Sequence, residues 1–343
     1  MFLPLLTTSL LLLSLHLPLT TSTPVLQTPL HSTPTSTPTP RNPPISPALF
    51  TELEELSRIV DIAYCVGSLN TGVSKPFQCL SFCKDFPTFT LQQTWNTGIT
   101  LSDSCGYIAL SHPPAPPRII VAFRGTYSIA NALADLAINK QEYVPYPDDG
   151  HTADPAAAKC NDCLVHAGFL QSWSNTNALI SDVVAALRSE YPGYRLTLVG
   201  HSLGGAVAAL AALDYKGRGW DPHVTTFGEP KVGNQGLADY FDARFGAETY
   251  RRVTHAEDPV PLVPLGAWGC DVRLCVGQED PECVAGGRVN AVQMLWAHRD
   301  YFHRLGLCVP PDSLLRKIRV LREEEEEGGT ECEARSRGVG GEL

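Results

Sequence analysis

Apolar positions along the middle of the chain fall into two alternating periodicities. Arg118–Phe123 reads R-I-I-V-A-F, a β-branched run that predicts a strand buried on both faces. Leu170–Glu190 carries apolar residues at helical spacing and stops before the turn at Pro192 and Gly193. Tyr194–Val199 (Y-R-L-T-L-V) predicts the next strand and Leu203–Tyr215, rich in Ala and Leu, the next helix; His223–Phe227 and Tyr250–Thr254 supply two further strands. Strand and helix taken in turn imply an α/β class, a mostly parallel central sheet with helices on both faces.

The two ends depart from this pattern. Phe2–Leu19 is almost uncharged, centres on the leucine run Leu10–Leu13 and leads into Thr20, Thr21 and Ser22, which predicts a secretory signal over residues 1–21. A spanning helix fits less well, because Thr7, Thr8, Ser14, His16 and Pro18 dilute the stretch. Residues 22–47 are mostly Ser, Thr and Pro, a disordered segment or propeptide suited to O-glycosylation; residues 311–343, with Glu323–Glu327, read as an acidic, Gly-rich disordered tail. The folded domain is expected over residues 48–310. With 43% hydrophobic and 18% charged residues the chain holds enough apolar surface for a core. A net charge of -10 and the absence of any Lys/Arg cluster exclude a nucleic-acid partner.

Eleven cysteines fit an oxidising, extracellular compartment. Cys160 and Cys163 form a C-x-x-C that lacks the second pair of a zinc site and the strand-to-helix setting of a redox motif, which favours a local disulfide. Cys79 and Cys83 are close enough for another. No metal and no cofactor are expected.

Candidate chemistry concentrates at Gly200–Gly205, G-H-S-L-G-G, directly after a predicted strand and before a predicted helix. A G-x-S-x-G turn needs small residues two before and two after the serine, because the serine is strained and neighbouring strands crowd it. Gly200 and Gly204 meet that demand, and Ser202 would stand exposed at the positive end of the helix. A serine hydroxyl needs a base, and the base an orienting acid. His201 is adjacent, but its side chain diverges across the turn and should pack against the core. In hydrolases of this turn type the acid and then the histidine follow the serine. Asp258, in H-A-E-D-P-V-P just past a predicted strand, is the candidate acid, with Glu257 and Asp271 as substitutes. His298 and His303 are the candidate bases, and spacing alone does not separate them.

These residues resemble the fungal class 3 lipases, secreted α/β-hydrolases that include triacylglycerol lipases and related feruloyl esterases. The likeness spans about Leu53–Cys308 and rests on F-R-G-T at Phe123–Thr126, C-N-D-C-x-V-H-x-G-F at Cys160–Phe169, G-H-S-L-G-G, F-G-E-P-K-V-G-N at Phe227–Asn234, R-V-T-H-x-x-D ending at Asp258 and H-x-x-Y-F at His298–Phe302. The resemblance implies an α/β-hydrolase fold and a triad of Ser202, Asp258 and His298, deciding against His303. It also implies an oxyanion hole from the backbone N–H groups of Thr126 and Leu203, with the Thr126 hydroxyl as a further donor, and disulfides Cys65–Cys308 and Cys160–Cys163. Cys105, Cys270 and Cys332 have no evident partners, and Pro264–Ala285, with Cys270, Cys275 and Cys283, departs from the family pattern.

Family lipases cover the site with an amphipathic helical lid after the oxyanion segment. Here that place reads Ser128–Lys140, with Ile129, Leu133, Leu136 and Ala137 on one stripe and Asn131, Asp135 and Asn139 elsewhere. The expected enzyme is a secreted triacylglycerol lipase, a monomer with no membrane-spanning segment once mature, acting on acylglycerols during transient contact with a lipid–water interface. A feruloyl esterase on soluble or cell-wall esters is the alternative from the same family. A catalytically inactive lipid-binding protein is the alternative from another class, and it would usually have lost a triad residue.

Overall fold

A computed structural model describes residues 45–67, 72–98, 103–126, 140–146, 160–254, 258–263 and 296–313. The expected signal and nearly all of the Ser/Thr/Pro segment lie outside these residues, as do the lid positions Ile129, Leu133 and Leu136, the alternative acids Glu257 and Asp271, the cysteines at 270, 275, 283 and 332, and the tail from residue 314.

Six strands form the central sheet: β1 (Phe89–Asn96), β2 (Cys105–Ser111), β3 (Arg118–Arg124), β6 (Arg195–His201), β7 (His223–Phe227) and β8 (Tyr250–Val253), hydrogen-bonded in that order. From β3 to β8 the pairings are parallel, while β2 runs antiparallel to both β1 and β3. Two small ribbons stand apart, β4 (Lys140–Glu142) against β5 (Leu164–His166), and β9 (Asp300–Tyr301) against β10 (His303–Arg304).

The central strands read as continuous apolar runs because both of their faces are covered. On one face Ile119, Val121, Phe123, Leu196 and Leu198 pack with α2 (Ala167–Glu190) and α3 (Leu203–Gly217). On the other, Ile120, Ala122, Val199 and Phe227 pack with α1 (Pro47–Ile62). The period-2 alternation along β3 assigns successive residues to the two cores. Ser46 opens α1, its hydroxyl accepting the Leu49 N–H at 3.2 Å, with Pro47 at the first helical position. The alanine-rich α3 is buried nearly all round, since its small side chains let it lie close over β3, β6 and β7.

Among the described residues three disulfides are formed, Cys65–Cys308, Cys79–Cys83 and Cys160–Cys163. Cys105 is a buried thiol at the start of β2, its Sγ 2.9 Å from Asn96 Oδ1. No described helix is long and apolar enough to cross a membrane.

Candidate active site

The parallel strands β3, β6 and β7 end on the same edge of the sheet, and the candidate residues collect there. Ser202 sits between β6 and α3 with φ 58° and ψ -130°, in the left-handed half of backbone space that side chains disfavour. Its N–H donates to the Phe227 carbonyl at the end of β7, 2.9 Å away. A Cβ on Gly204 would collide with the Phe123 and Arg124 carbonyls, and one on Gly200 with the Gly204 carbonyl. The two glycines thus let α3 start directly over the strands. Leu203 is the first residue of α3, so its N–H has no partner within the helix.

Asp258 lies in the turn after β8, and Val260 N–H donates to its Oδ1 at 2.9 Å in the two-residue reach typical of an aspartate turn. The short ribbon β9–β10 and the turn before it return the chain over this edge, bringing His298. Its Nδ1 is 2.8 Å from Asp258 Oδ2 and 3.0 Å from Oδ1. Tyr301, on β9, donates its hydroxyl to Oδ2 at 2.5 Å. Asp258 is 1% exposed, His298 0% and Ser202 4%. Burial alone would push the Asp258 carboxyl up, but the charge and hydrogen bond of His298, with the donors Tyr301 and Val260, outweigh it and hold it below the usual aspartate range. An ionised Asp258 accepts from His298 Nδ1–H, which leaves the Nε2 lone pair on the far side of the ring. That atom is buried and makes no hydrogen bond among the described residues.

Gly228 joins these parts. It has φ +56°, and a Cβ there would lie 2.8 Å from both Asp258 Oδ2 and His298 Cε1. It follows Phe227, whose carbonyl holds Ser202. Gly125, between β3 and Thr126, is equally tight: a Cβ on it would lie 2.8 Å from Ser202 Cβ. Ser202, Thr126, Leu203, Asp258 and His298 therefore share one sheet edge. His303 points elsewhere, its Nδ1 3.3 Å from the Ser57 hydroxyl and its ring against Phe82. Behind the site Arg252 donates to the backbone carbonyls of Glu229 and Pro261, tying the turn after β7 to the turn that carries Asp258.

A family description, Lipase (class 3), matches residues 120–267. The secreted mono- and diacylglycerol lipase 2 of Gibberella zeae is 45% identical over 88% of this chain and 93% of its own length. The chain belongs to the class 3 lipase family. Lipase A of Sodiomyces alcalophilus is also 45% identical, over 78% of this chain and 84% of that protein. Among solved structures, the Lip2 lipase of Yarrowia lipolytica superposes with a TM-score of 0.68 at 32% identity, covering 77% of this chain and 97% of Lip2. The sheet and its helices are those of the α/β-hydrolase fold.

In this class 3 lipase, sequence motifs point to Ser202, Asp258 and His298 but give no role to Tyr301, Gly228, Tyr64 or Arg252. Tyr301 had a signal, its place in H-x-x-Y-F. Tyr64 had none, since its hydroxyl bonds His201 and Gly125, 137 and 61 positions along the chain. Among the described residues no three His, Cys, Asp or Glu side chains gather as metal ligands would.

Proposed function

We propose that this protein is a secreted lipase that hydrolyses the carboxylic ester bonds of acylglycerols, with Ser202 as nucleophile, His298 as general base and Asp258 as the acid that orients it. The observation that carries this reading is the fully buried His298, held by Asp258 through Nδ1 and leaving Nε2 without a hydrogen bond among the described residues. A carboxylate on Nδ1 fixes the tautomer whose Nε2 lone pair can serve as base, an arrangement that His303, with its Nδ1 on the Ser57 hydroxyl, does not have.

In the proposed reaction His298 Nε2 takes the Ser202 proton as Oγ attacks the ester carbonyl. The oxyanion is met by the N–H groups of Thr126 and Leu203, each such donor contributing about 3 kcal/mol to the transition state. Collapse breaks the ester C–O bond, and His298 returns the proton to the departing glycerol oxygen. Water, deprotonated by His298, then releases the fatty acid from Ser202. The names of the relatives in Gibberella zeae, Penicillium cyclopium and Penicillium camembertii favour mono- and diacylglycerols as substrates, ahead of the triacylglycerols expected from motifs. "Secreted" in those names, with the expected signal, supports an extracellular location.

A fluorophosphonate should label the wild type and not Ser202→Ala, and Ser202→Ala, His298→Ala and Asp258→Asn should each lower ester hydrolysis by several orders of magnitude with the fold retained. An active Ser202→Ala ends the proposal. The stripe of Ile129, Leu133 and Leu136 supports interfacial activation. Tributyrin hydrolysis should rise steeply past the solubility limit, and Leu133→Ser with Leu136→Ser should flatten the rise. Smooth saturation below that limit, with methyl ferulate cleaved faster than tributyrin, would favour the feruloyl esterase instead.

A further inference from the structure

His201, next to the nucleophile, is fully buried and bonded at both ring nitrogens. Nδ1 is 2.5 Å from the Tyr64 hydroxyl, and Nε2 is 2.9 Å from the His298 backbone carbonyl. The Tyr64 oxygen also accepts the Gly125 N–H at 3.1 Å. The two ends of this chain are backbone groups of fixed polarity, so its protons can be arranged in one way only. The His298 carbonyl can only accept, so His201 carries its proton on Nε2. Burial pushes His201 down to about 3, so the ring stays neutral and Nδ1 presents a lone pair. Tyr64 therefore donates to Nδ1, and its own lone pair receives the Gly125 N–H. Burial raises the Tyr64 phenol far enough that it keeps its proton.

The chain of bonds starts beside the expected oxyanion donor. Gly125 is held at its N–H by Tyr64 and at its carbonyl by Arg124 Nε, 3.1 Å away. Arg124 is anchored in turn by its Nη1 on the Val66 carbonyl at 2.8 Å. The Gly125 carbonyl and the Thr126 N–H belong to one planar peptide and point in opposite directions. Fixing the carbonyl on Arg124 thus aims the Thr126 N–H the other way. At its far end the same chain grips the backbone of His298, whose ring stacks 4.7 Å from that of His201.

We infer that Tyr64 and His201 are positioning residues, which couple the Gly125–Thr126 peptide to the backbone of His298 so that oxyanion donor and base are held in one register. Neither touches substrate, and the inference rests on the triad and oxyanion hole proposed above. Displacing a preorganised group by about 1 Å can cost on the order of a hundredfold in rate without weakening ground-state binding.

The test is Tyr64→Phe, which removes one oxygen and keeps the ring. Its kcat for p-nitrophenyl butyrate should fall about 10- to 100-fold with KM within twofold of the wild type. The inhibition constant of phenylboronic acid, which forms a tetrahedral adduct on an activated serine, should rise by a similar factor. His201→Gln can still donate to the His298 carbonyl through its amide N–H, but from there its amide oxygen does not fall at the place of Nδ1 facing Tyr64, so it should show the same split, and it carries the test if Tyr64→Phe does not fold. A kcat within twofold of the wild type, or a fall in kcat with unchanged boronate affinity, overturns the inference. If the wild type itself resists both fluorophosphonate and boronate, the hydrolase reading fails instead.

Discussion

Consider replacing His201 by glutamine and asking how the fold withstands acid. In the native protein the imidazole is sealed off and neutral, with burial lowering its pKa from 6.5 to about 3; in the unfolded chain it regains the ordinary value. Between these values the unfolded state binds a proton that the folded state refuses, so folding stability falls as pH falls through that window. From pH 7 to pH 5 the difference for this one group is about 2 kcal/mol, a shift of one pKa unit being about 1.4 kcal/mol. Asp258 adds nothing to that interval, because its folded pKa lies below the aspartate value and it is ionised at both pH values in either state. Its contribution would be lost only at more acid pH. Urea unfolding of the wild type and His201→Gln at both pH values measures the effect as a change in midpoint at constant slope. The wild type should lose about 2 kcal/mol more than the variant. Parallel losses in the two proteins would mean that the buried ring is protonated on acidification, contrary to the hydrogen-bond chain that Tyr64 and the His298 carbonyl impose.

Gly228→Ala should cut ester hydrolysis at least a hundredfold by displacing Asp258 or His298, and destabilise by about 1–2 kcal/mol from the positive φ alone. Gly193→Ala, with nothing within 4 Å of its added carbon, is the silent control in the same kinetic assay. Replacing Cys65 and Cys308 together by serine opens a loop of sequence separation 243 and should cost about 5 kcal/mol in the chain-entropy model. Opening Cys79–Cys83, separation 4, should cost about 2 kcal/mol. Thermal denaturation of the two double variants checks the ranking.

The parallel half of the sheet is legible in the sequence because burial on both faces leaves unbroken apolar runs. Arg118–Phe123, Tyr194–Val199 and His223–Phe227 coincide with β3, β6 and β7 to within one or two residues. β1 and β2 go unread. F-T-L-Q-Q-T-W-N mixes polar side chains into a strand whose pairing shifts register between Leu91 and Gln93, which blurs its alternation. β2 depends on its two antiparallel neighbours rather than on any local signal. α2 begins at Ala167, three residues before the helical pattern is evident, since Gly168 interrupts the apolar spacing while tertiary packing carries the helix through it. Within the site, sequence motifs place Ser202, Asp258 and His298 on one sheet edge. His201 is a packing residue by its pattern, and it is indeed buried. Its hydrogen bonds reach partners 137 and 97 positions away, which no local periodicity encodes.

The way the last described segment docks has a consequence for the producing cell. His298 belongs to a stretch that is seated by the Gly306 N–H on Asp61 of α1, 2.9 Å apart, and fastened by Cys308 to Cys65. Synthesis runs from the N-terminus, so the elbow with Ser202 is made well before its proposed base, and the two can meet only after nearly the whole sheet is in place. A nascent or prematurely terminated chain would carry the nucleophile without the means to activate it.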